Sequence, residues 1–206
     1  MFYPILQGTV YAPTGADAAA SLPLIVYLAP DTGEPPAVLT AGTVPARILY
    51  LTCPDGFHWQ NLPYEIDDAI EKVKTSHAVD SDRISVIGEG FGVWSYAIFA
   101  HKRLSCAVPI AGGGLSWRAH EVKKMPVWAF HGAADSTLNR IHGQEMIERV
   151  LLSSGHSHMT LYPERDHAIT DEVLSTDAIL RWMAARSVTE EFSDEKFTLD
   201  PEVTSK

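Results

Sequence analysis

The chain has 206 residues, of which 46% are hydrophobic and 20% are charged, a composition that fits one compact domain and excludes a disordered, collagen-like or coiled-coil protein. Its 26 acidic and 16 basic residues give a net charge of -10, which repels phosphate groups and argues against nucleic acid or an anionic membrane as a partner. No segment has the pattern of a signal peptide or of a membrane span, so we expect a cytoplasmic protein.

Short apolar runs, rich in β-branched and aromatic residues, predict buried β-strands. They are continuously hydrophobic rather than alternating, which is typical of a parallel sheet covered on both faces by helices. In chain order these runs are residues 22–29, 46–53, 83–87, 107–110, 127–130 and 158–162. Cys53 and Cys106 belong to this apolar pattern and lack the spacing of a metal or redox pair, so we expect reduced core thiols, no metal and no other cofactor.

Amphipathic segments between these runs predict helices. The predicted helices are residues 62–74, 91–102, 138–154 and 170–185, with Gly155 ending the third. The residues expected on the buried face of the first helix are Leu62, Ile66, Ala69, Ile70 and Val73. Those expected on the buried face of the third are Leu138, Ile141, Ile147, Val150 and Leu151. Strands and helices alternate along the chain, which predicts an α/β fold in a single domain over residues 1–186.

Residues 187–206 differ from the rest of the chain. They contain six acidic and two basic residues, and their apolar residues follow no clear period. We therefore expect a flexible acidic C-terminal tail. Phe192, Phe197 and Leu199 leave open the alternative that the tail docks on the domain or on a second subunit, and a homodimer stays open for the same reason.

A glycine-rich turn follows the run at 83–87, where α/β proteins place their chemistry. One interpretation is a dinucleotide fingerprint that uses Gly88 and Gly90, but its third glycine would fall at Val93. The other is a nucleophile elbow, in which Gly88 and Gly92 allow the strand and the helix to approach each other around position 90. The second interpretation fits the spacing better.

Three blocks resemble the α/β-hydrolases, namely VDSDRISVIGEGFG, MPVWAFHGAADSTL and TLYPERDHAITDE. The resemblance is to the small esterase group of carboxylesterases, lysophospholipases, dienelactone hydrolases and polyhydroxybutyrate-depolymerase-like proteins, and it covers roughly residues 22–185. It implies a three-layer sandwich with a mostly parallel central sheet. It also implies a catalytic order of nucleophile, acid and base, which places the nucleophile at position 90, the acid at Asp135 and the base at His167.

Two features depart from the esterase pattern. Position 90 is glycine where the group has a serine, and a glycine has no side chain that could attack a carbonyl. The loop expected to bind the oxyanion reads Ala29-Pro30-Asp31, in which Pro30 has no N–H and Asp31 adds negative charge. The backbone N–H of Phe91 is the donor that we expect to remain.

Other polar side chains have structural interpretations. We expect His131 to shape the loop that carries Asp135, and Glu89 to be a paired structural residue. His156 and His158 form an HxH pattern, but no third ligand lies near them, so exposed polar residues are favoured over a metal site.

The residues allow three functions. The first is an α/β-hydrolase relative that has lost serine chemistry and binds a small ester-like molecule, or a partner, in the inherited crevice. The second is an active ester hydrolase, either a serine enzyme in which Gly90 has replaced the nucleophile or an enzyme in which Asp135 and His167 activate a water molecule. The third is a nucleotide-binding α/β module.

Overall fold

A computed structural model describes residues 4–30 and 33–199. Its central sheet has the strand order β1-β3-β2-β4-β5-β6-β7, in which only the pairing of β1 with β3 is antiparallel. The strands are β1 (Gly8–Tyr11), β2 (Leu22–Ala29), β3 (Arg47–Thr52), β4 (Val79–Glu89), β5 (Cys106–Ile110), β6 (Val127–Gly132) and β7 (Ser157–Tyr162). The largely parallel sheet confirms the predicted α/β class.

Helices cover both faces of the sheet. They are α1 (Ala37–Thr40), α2 (Pro63–Ser76), α3 (Phe91–Ala100), α4 (Ile141–Leu152), α5 (Thr170–Val173) and α6 (Ala178–Ala184). Short 3-10 turns occur at Trp59–Asn61, Ser116–Val122 and Asp194–Lys196. Helices α2, α3 and α4 contribute to one hydrophobic core, and α1, α5 and α6 contribute to a second.

The strand β2 shows why the apolar runs are continuous. Leu24, Val26 and Leu28 belong to the first core, whereas Ile25 and Tyr27 belong to the second. Successive side chains of a strand point to opposite faces, so a strand that contacts helices on both faces has no polar side. This arrangement confirms the three-layer sandwich.

The first predicted helix agrees with α2, and all five residues expected on its inner face are buried. The expectation for the third helix is partly wrong. It begins at Ile141 rather than at residue 138, and Ile141 and Leu151 are exposed. Gly143 and Met146 are buried in their place, because α4 packs against the glycine-rich stretch that follows β5.

The single helix predicted over residues 170–185 is two helices, α5 and α6, with a break at residues 174–177. The physical reason is the polar sequence at the break. The carboxylate of Asp177 accepts hydrogen bonds from the Thr43 hydroxyl and from Arg181 in the first turn of α6. Such side chains favour helix ends over helix interiors. The strand β1, at the edge of the sheet, was not predicted.

The described part of the C-terminal segment, residues 187–199, is not a flexible tail. Phe192, Phe197 and Leu199 pack against the second core, and the Phe197 ring stacks on Trp182 with centroids 5.9 Å apart. The indole N–H of Trp182 donates to the carbonyl oxygen of Lys196 at 2.6 Å. The docking alternative therefore holds for this segment, because its aromatic residues cover an otherwise open face of α6.

Candidate active site

The turn between β4 and α3 has the backbone geometry of a tight elbow. Gly90 lies at its apex with φ 73° and ψ -150°, and its N–H donates to the carbonyl oxygen of Ile110 at 3.0 Å. A Cβ at Gly88 would overlap the carbonyl oxygen of Leu28, and a Cβ at Gly92 would overlap the side chain of Trp59. The two flanking glycines therefore allow the elbow to pack closely against β2 on one side and against the turn at Trp59–Asn61 on the other.

Position 90 itself is open. An ideal Cβ built on Gly90 meets no atom within 4 Å, although the positive φ is one that other residues rarely adopt. Any side chain here would project from the elbow into free space at the carboxyl edge of the sheet. The elbow backbone thus leaves room for a side chain at its apex, where this chain has a glycine.

The glycine-rich stretch after β5 packs against this elbow. A Cβ at Gly112 would overlap the carbonyl oxygen of Gly90, and a Cβ at Gly113 would overlap His142 at the start of α4. Ala111, the residue that begins the stretch, has a positive φ of 45°. These contacts explain the glycines at 112 and 113, since a larger residue would displace the elbow at the first position and α4 at the second.

Asp135 and His167 come together at the same edge of the sheet. Asp135 follows β6 and His167 follows β7, and the Nδ1 atom of His167 lies 2.8 Å from Oδ2 of Asp135. The Asp135 side chain is fully buried, whereas the His167 side chain is 30% exposed. This contact leaves the Nε2 atom of His167 available to accept a proton, which is the arrangement that a general base requires.

Asp135 is held as an anion by its surroundings. Burial by itself would raise its pKa, but the backbone N–H groups of Leu138 and Thr137 donate to Oδ1, and His167 contacts Oδ2. Together these interactions outweigh burial and hold the pKa of Asp135 below its usual value. An ionised Asp135 favours an N–H at Nδ1 of His167.

His131 has the structural role expected from the sequence. It is buried at the end of β6, and its Nε2 atom lies 2.9 Å from the carbonyl oxygen of Leu138 and 3.0 Å from Oδ2 of Asp135. An N–H at this atom therefore ties the loop of residues 135–138 to the sheet. His131 thus supports the carboxylate of Asp135 from the interior of the protein.

Asp166 joins the loops that carry Asp135 and His167, and it was not identified from the sequence. Its carboxylate accepts hydrogen bonds from the backbone N–H and the hydroxyl of Ser136 and from the backbone N–H of His167. The Ser136 and His167 donors lower the pKa of Asp166. Its position directly before His167 was the only feature of the sequence that could have identified Asp166.

The residues proposed for oxyanion binding have different environments. Phe91 is the first residue of α3, where a backbone N–H has no acceptor within the helix. The carbonyl oxygen of Ala29 accepts from the indole N–H of Trp59 at 2.6 Å. Asp31, the third predicted residue, lies outside the described residues. One candidate donor, the N–H of Phe91, thus stands beside Gly90 as expected.

A cavity of about 220 Å³ adjoins the site on the side of β2 and β3. Glu89, immediately before Gly90, and Ala168 and Thr170, one and three residues after His167, contribute to its wall. The hydroxyl of Thr170 donates to Glu89, which gives Glu89 the paired role expected of it. Glu34 and Asp171 also line the cavity, and among the described lining residues there is no Lys, Arg or His. The cavity wall is therefore acidic.

Within residues 4–30 and 33–199, no three His, Cys, Asp or Glu side chains are grouped as a metal site requires. The HxH residues have other contacts, because His156 lies 2.8 Å from Asp194 and His158 stacks on Phe197.

The helices of the same described part include none that is long and apolar enough to cross a bilayer.

Residues 57–191, more than half of the chain, match the dienelactone hydrolase family. The chain belongs to that family. The match includes the elbow, Asp135 and His167, and it favours the nucleophile elbow over the dinucleotide fingerprint. A search of curated proteins found no relative.

Solved structures share the fold at low sequence identity. A thermostable esterase has a TM-score of 0.77 and 18% identity over 88% of this chain, and the chain spans only 59% of that protein. Esterase PE8 has a TM-score of 0.67 and 12% identity over 82% of this chain and 94% of its own. The acylaminoacyl peptidase of Pyrococcus horikoshii has a TM-score of 0.72 and 11% identity, over 93% of this chain and 41% of its own. The chain thus has an α/β-hydrolase fold.

Proposed function

We propose that this chain binds a small ester-like molecule at the elbow without forming a covalent bond to it. The observation that carries the proposal is Gly90, which has the positive φ of the elbow and open space where a nucleophile would project. Because glycine offers no oxygen or sulfur, no acyl group can be transferred to this position. The Asp135–His167 contact and the adjoining cavity of about 220 Å³ support this place for a carbonyl compound.

The charge of the cavity narrows the ligand class. Glu34, Glu89 and Asp171 line it without a facing cation among the described lining residues. A carboxylate ligand would be repelled in such a wall, whereas an uncharged or positively charged ester would not. We therefore expect neutral or amine-bearing ligands to bind in preference to acidic ones.

A second candidate function, slow ester hydrolysis, is favoured by the contact of 2.8 Å between Asp135 and His167. In this reaction, His167 accepts a proton from a water molecule above Gly90 while the water oxygen forms a bond to the ester carbonyl. The tetrahedral intermediate then collapses, the bond to the alcohol oxygen breaks, and His167 returns the proton to that oxygen. The products are a carboxylic acid and an alcohol, and no acyl-enzyme forms.

Initial rates with p-nitrophenyl acetate and p-nitrophenyl butyrate distinguish these functions. The comparison uses the unaltered chain, Gly90→Ser and His167→Ala. If only Gly90→Ser is active, the site is an esterase site that lacks its nucleophile, as proposed. If the unaltered chain is active and His167→Ala is not, the water mechanism replaces the binding proposal. If all three proteins are inactive, two assignments are refuted: that position 90 is the position of a nucleophile, and that a water molecule above Gly90 attacks the ester.

Binding itself is tested by thermal stabilisation with non-hydrolysable ligands. Three small ketones of matched size, one neutral, one carrying an ammonium group and one carrying a carboxylate, are compared at the same concentrations. We expect the neutral and cationic ketones to raise the melting temperature and the carboxylate to have no effect. Stabilisation by the carboxylate alone would contradict the proposed ligand class.

A further inference from the structure

A larger cavity lies at the opposite edge of the sheet from the candidate active site. Its volume is about 480 Å³, and its wall includes residues that precede β5 and β6 together with the docked segment at 187–192. Gly90, Asp135 and His167 lie after the carboxyl ends of their strands. Because β5 alone has five residues of about 3.3 Å each, the two edges are separated by about 15 Å.

The wall of this cavity is basic although the chain carries a net charge of -10. Lys102, Lys123 and Lys124 line it, and none of their side-chain ammonium groups makes an ion pair or hydrogen bond within the described part of the chain. Two carboxylates line the same cavity, those of Glu121 and Glu190. Whether cations outside the wall neutralise these two carboxylates decides the sign of the net charge of the wall.

Both carboxylates are neutralised by cations outside the wall. Glu121 accepts two hydrogen bonds from Arg118, at 2.7 and 3.1 Å, and this pairing lowers its pKa. Glu190 lies 2.7 Å from Lys196 and 3.4 Å from Arg186. The three lysines therefore retain an unbalanced positive charge that faces the cavity.

Two histidines in the wall are already bonded through one ring nitrogen each. The Nδ1 atom of His101 lies 2.8 Å from the carbonyl oxygen of Ile98, and Nδ1 of His120 lies 3.1 Å from that of Trp117. A carbonyl oxygen accepts only, so Nδ1 of each ring carries the hydrogen and Nε2 is left for another partner.

The rest of the wall is apolar. Leu104, Pro126, Val188 and Phe192 line it, and Phe192 also packs against the second core. A volume of about 480 Å³ is in the range of small-molecule sites. A ligand that matches this wall has one anionic end and an apolar body.

We propose that this cavity binds a small organic anion with an apolar body, such as a medium-chain carboxylate. The anionic end contacts the unpaired lysines, and the hydrocarbon contacts Leu104 and Phe192. Because residues 187–192 form one side of the cavity, an occupied cavity favours the docked arrangement of this segment. This site is independent of the proposed function at Gly90.

Isothermal titration calorimetry with decanoate, kept below its micelle-forming concentration, tests the proposal. We expect saturable one-to-one binding that weakens with added salt, because ions screen the contact between the lysines and the carboxylate. Decyltrimethylammonium, which has the same chain and the opposite charge, should bind at least about tenfold more weakly, a difference of about 1.4 kcal/mol. Equal binding of both would overturn the proposal, since it would show a merely apolar surface.

Variants locate the binding. The double variant Lys123→Ala/Lys124→Ala should lose at least about tenfold in affinity for decanoate, whereas the charge-matched control Lys72→Ala/Lys74→Ala on α2 should not. His167→Ala should leave the affinity unchanged, which separates this cavity from the candidate active site. Unchanged affinity in the first variant, with its circular dichroism intact, would overturn the proposal. Inorganic phosphate serves as the last probe, and binding as tight as that of decanoate would exclude a role for the apolar wall.

Discussion

Replacement of Gly90 by serine introduces a hydroxyl at the apex of the elbow and strains the backbone at the same time. Nothing lies within 4 Å of the added Cβ, so the cost comes from the conformation at φ 73° and ψ -150° rather than from overlap. A non-glycine residue in such a region costs on the order of 1–3 kcal/mol. For a chain of this size, each kcal/mol lowers the melting temperature by roughly 2–4 °C.

The expected gain in rate follows from two opposing terms. Restoring a nucleophile to an otherwise complete site is worth about 10⁴-fold or more. Pro30 has no N–H that could serve as a second oxyanion donor, and loss of one such donor costs about 10²–10³-fold. Gly90→Ser should therefore hydrolyse p-nitrophenyl acetate about 10- to 100-fold faster than the unaltered chain, and the added His167→Ala change should remove this gain.

A matched control separates strain from chemistry. Gly15 also has a positive φ, 74°, with no atom within 4 Å of an added Cβ, and it lies between β1 and β2 rather than in the elbow. Gly15→Ser should lose stability to a similar degree without gaining activity. The reasoning is refuted if Gly90→Ser is more stable than the unaltered chain and inactive, or if Gly15→Ser gains the same activity.

Three further changes test the supporting structure. The pKa of Asp135 is lowered in the folded state, so its carboxylate stabilises the fold above about pH 4, and this contribution is lost as the pH falls further. Asp135→Asn should therefore lower the free energy of unfolding, measured by urea titration, by about 1 kcal/mol at pH 7, and the difference between variant and unaltered chain should shrink towards pH 3. Gly112→Ala should lower the melting temperature more than Gly15→Ala does, because its Cβ overlaps the carbonyl oxygen of Gly90; equal losses would contradict the close packing. Truncation after residue 186 should cost about 2–4 kcal/mol and shift tryptophan emission to longer wavelength by exposing Trp182, whereas unchanged emission would argue against the docked tail.

The sequence was sufficient for most of the sheet because a strand buried on both faces has an unambiguous pattern. The runs at 22–29 and 107–110 lie within one residue of β2 and β5 at each end. The strand β1 was not predicted from the sequence because it is short, lies at the edge of the sheet and is not fully buried. Its pairing with β3 depends on contacts distant in sequence, which no local pattern contains.

The errors in the helices and the tail have a common cause. The spacing of Ile141 and Leu151 suits a buried helix face, but where α4 packs is decided by close contact with Gly113, which belongs to another part of the chain. The acidic composition after residue 186 predicted flexibility, yet Phe192 and Phe197 find partners on Trp182. In both places, tertiary contacts outweighed the local pattern.

Resemblance to the esterase group placed Asp135 and His167, and the structure brings their side chains into contact. Their catalytic roles stay a prediction, as does the part of Phe91 in oxyanion binding. Asp166 and Thr170 could not be identified beforehand, since each acts through a hydrogen bond to a residue distant in sequence, Ser136 for Asp166 and Glu89 for Thr170. Residues that position a site are harder to predict than residues that carry its chemistry.

The elbow does not depend on the residue at its apex. Its shape is fixed by the contacts of Gly88 with Leu28, of Gly92 with Trp59 and of Gly112 with the carbonyl group of Gly90, all of which involve backbone or core atoms. A change of the side chain at position 90 removes the nucleophile and leaves these contacts in place. Glycine also relieves the strain that its φ would impose on a serine. The same geometry therefore permits both a stable binding protein without covalent chemistry and an esterase restored by one substitution.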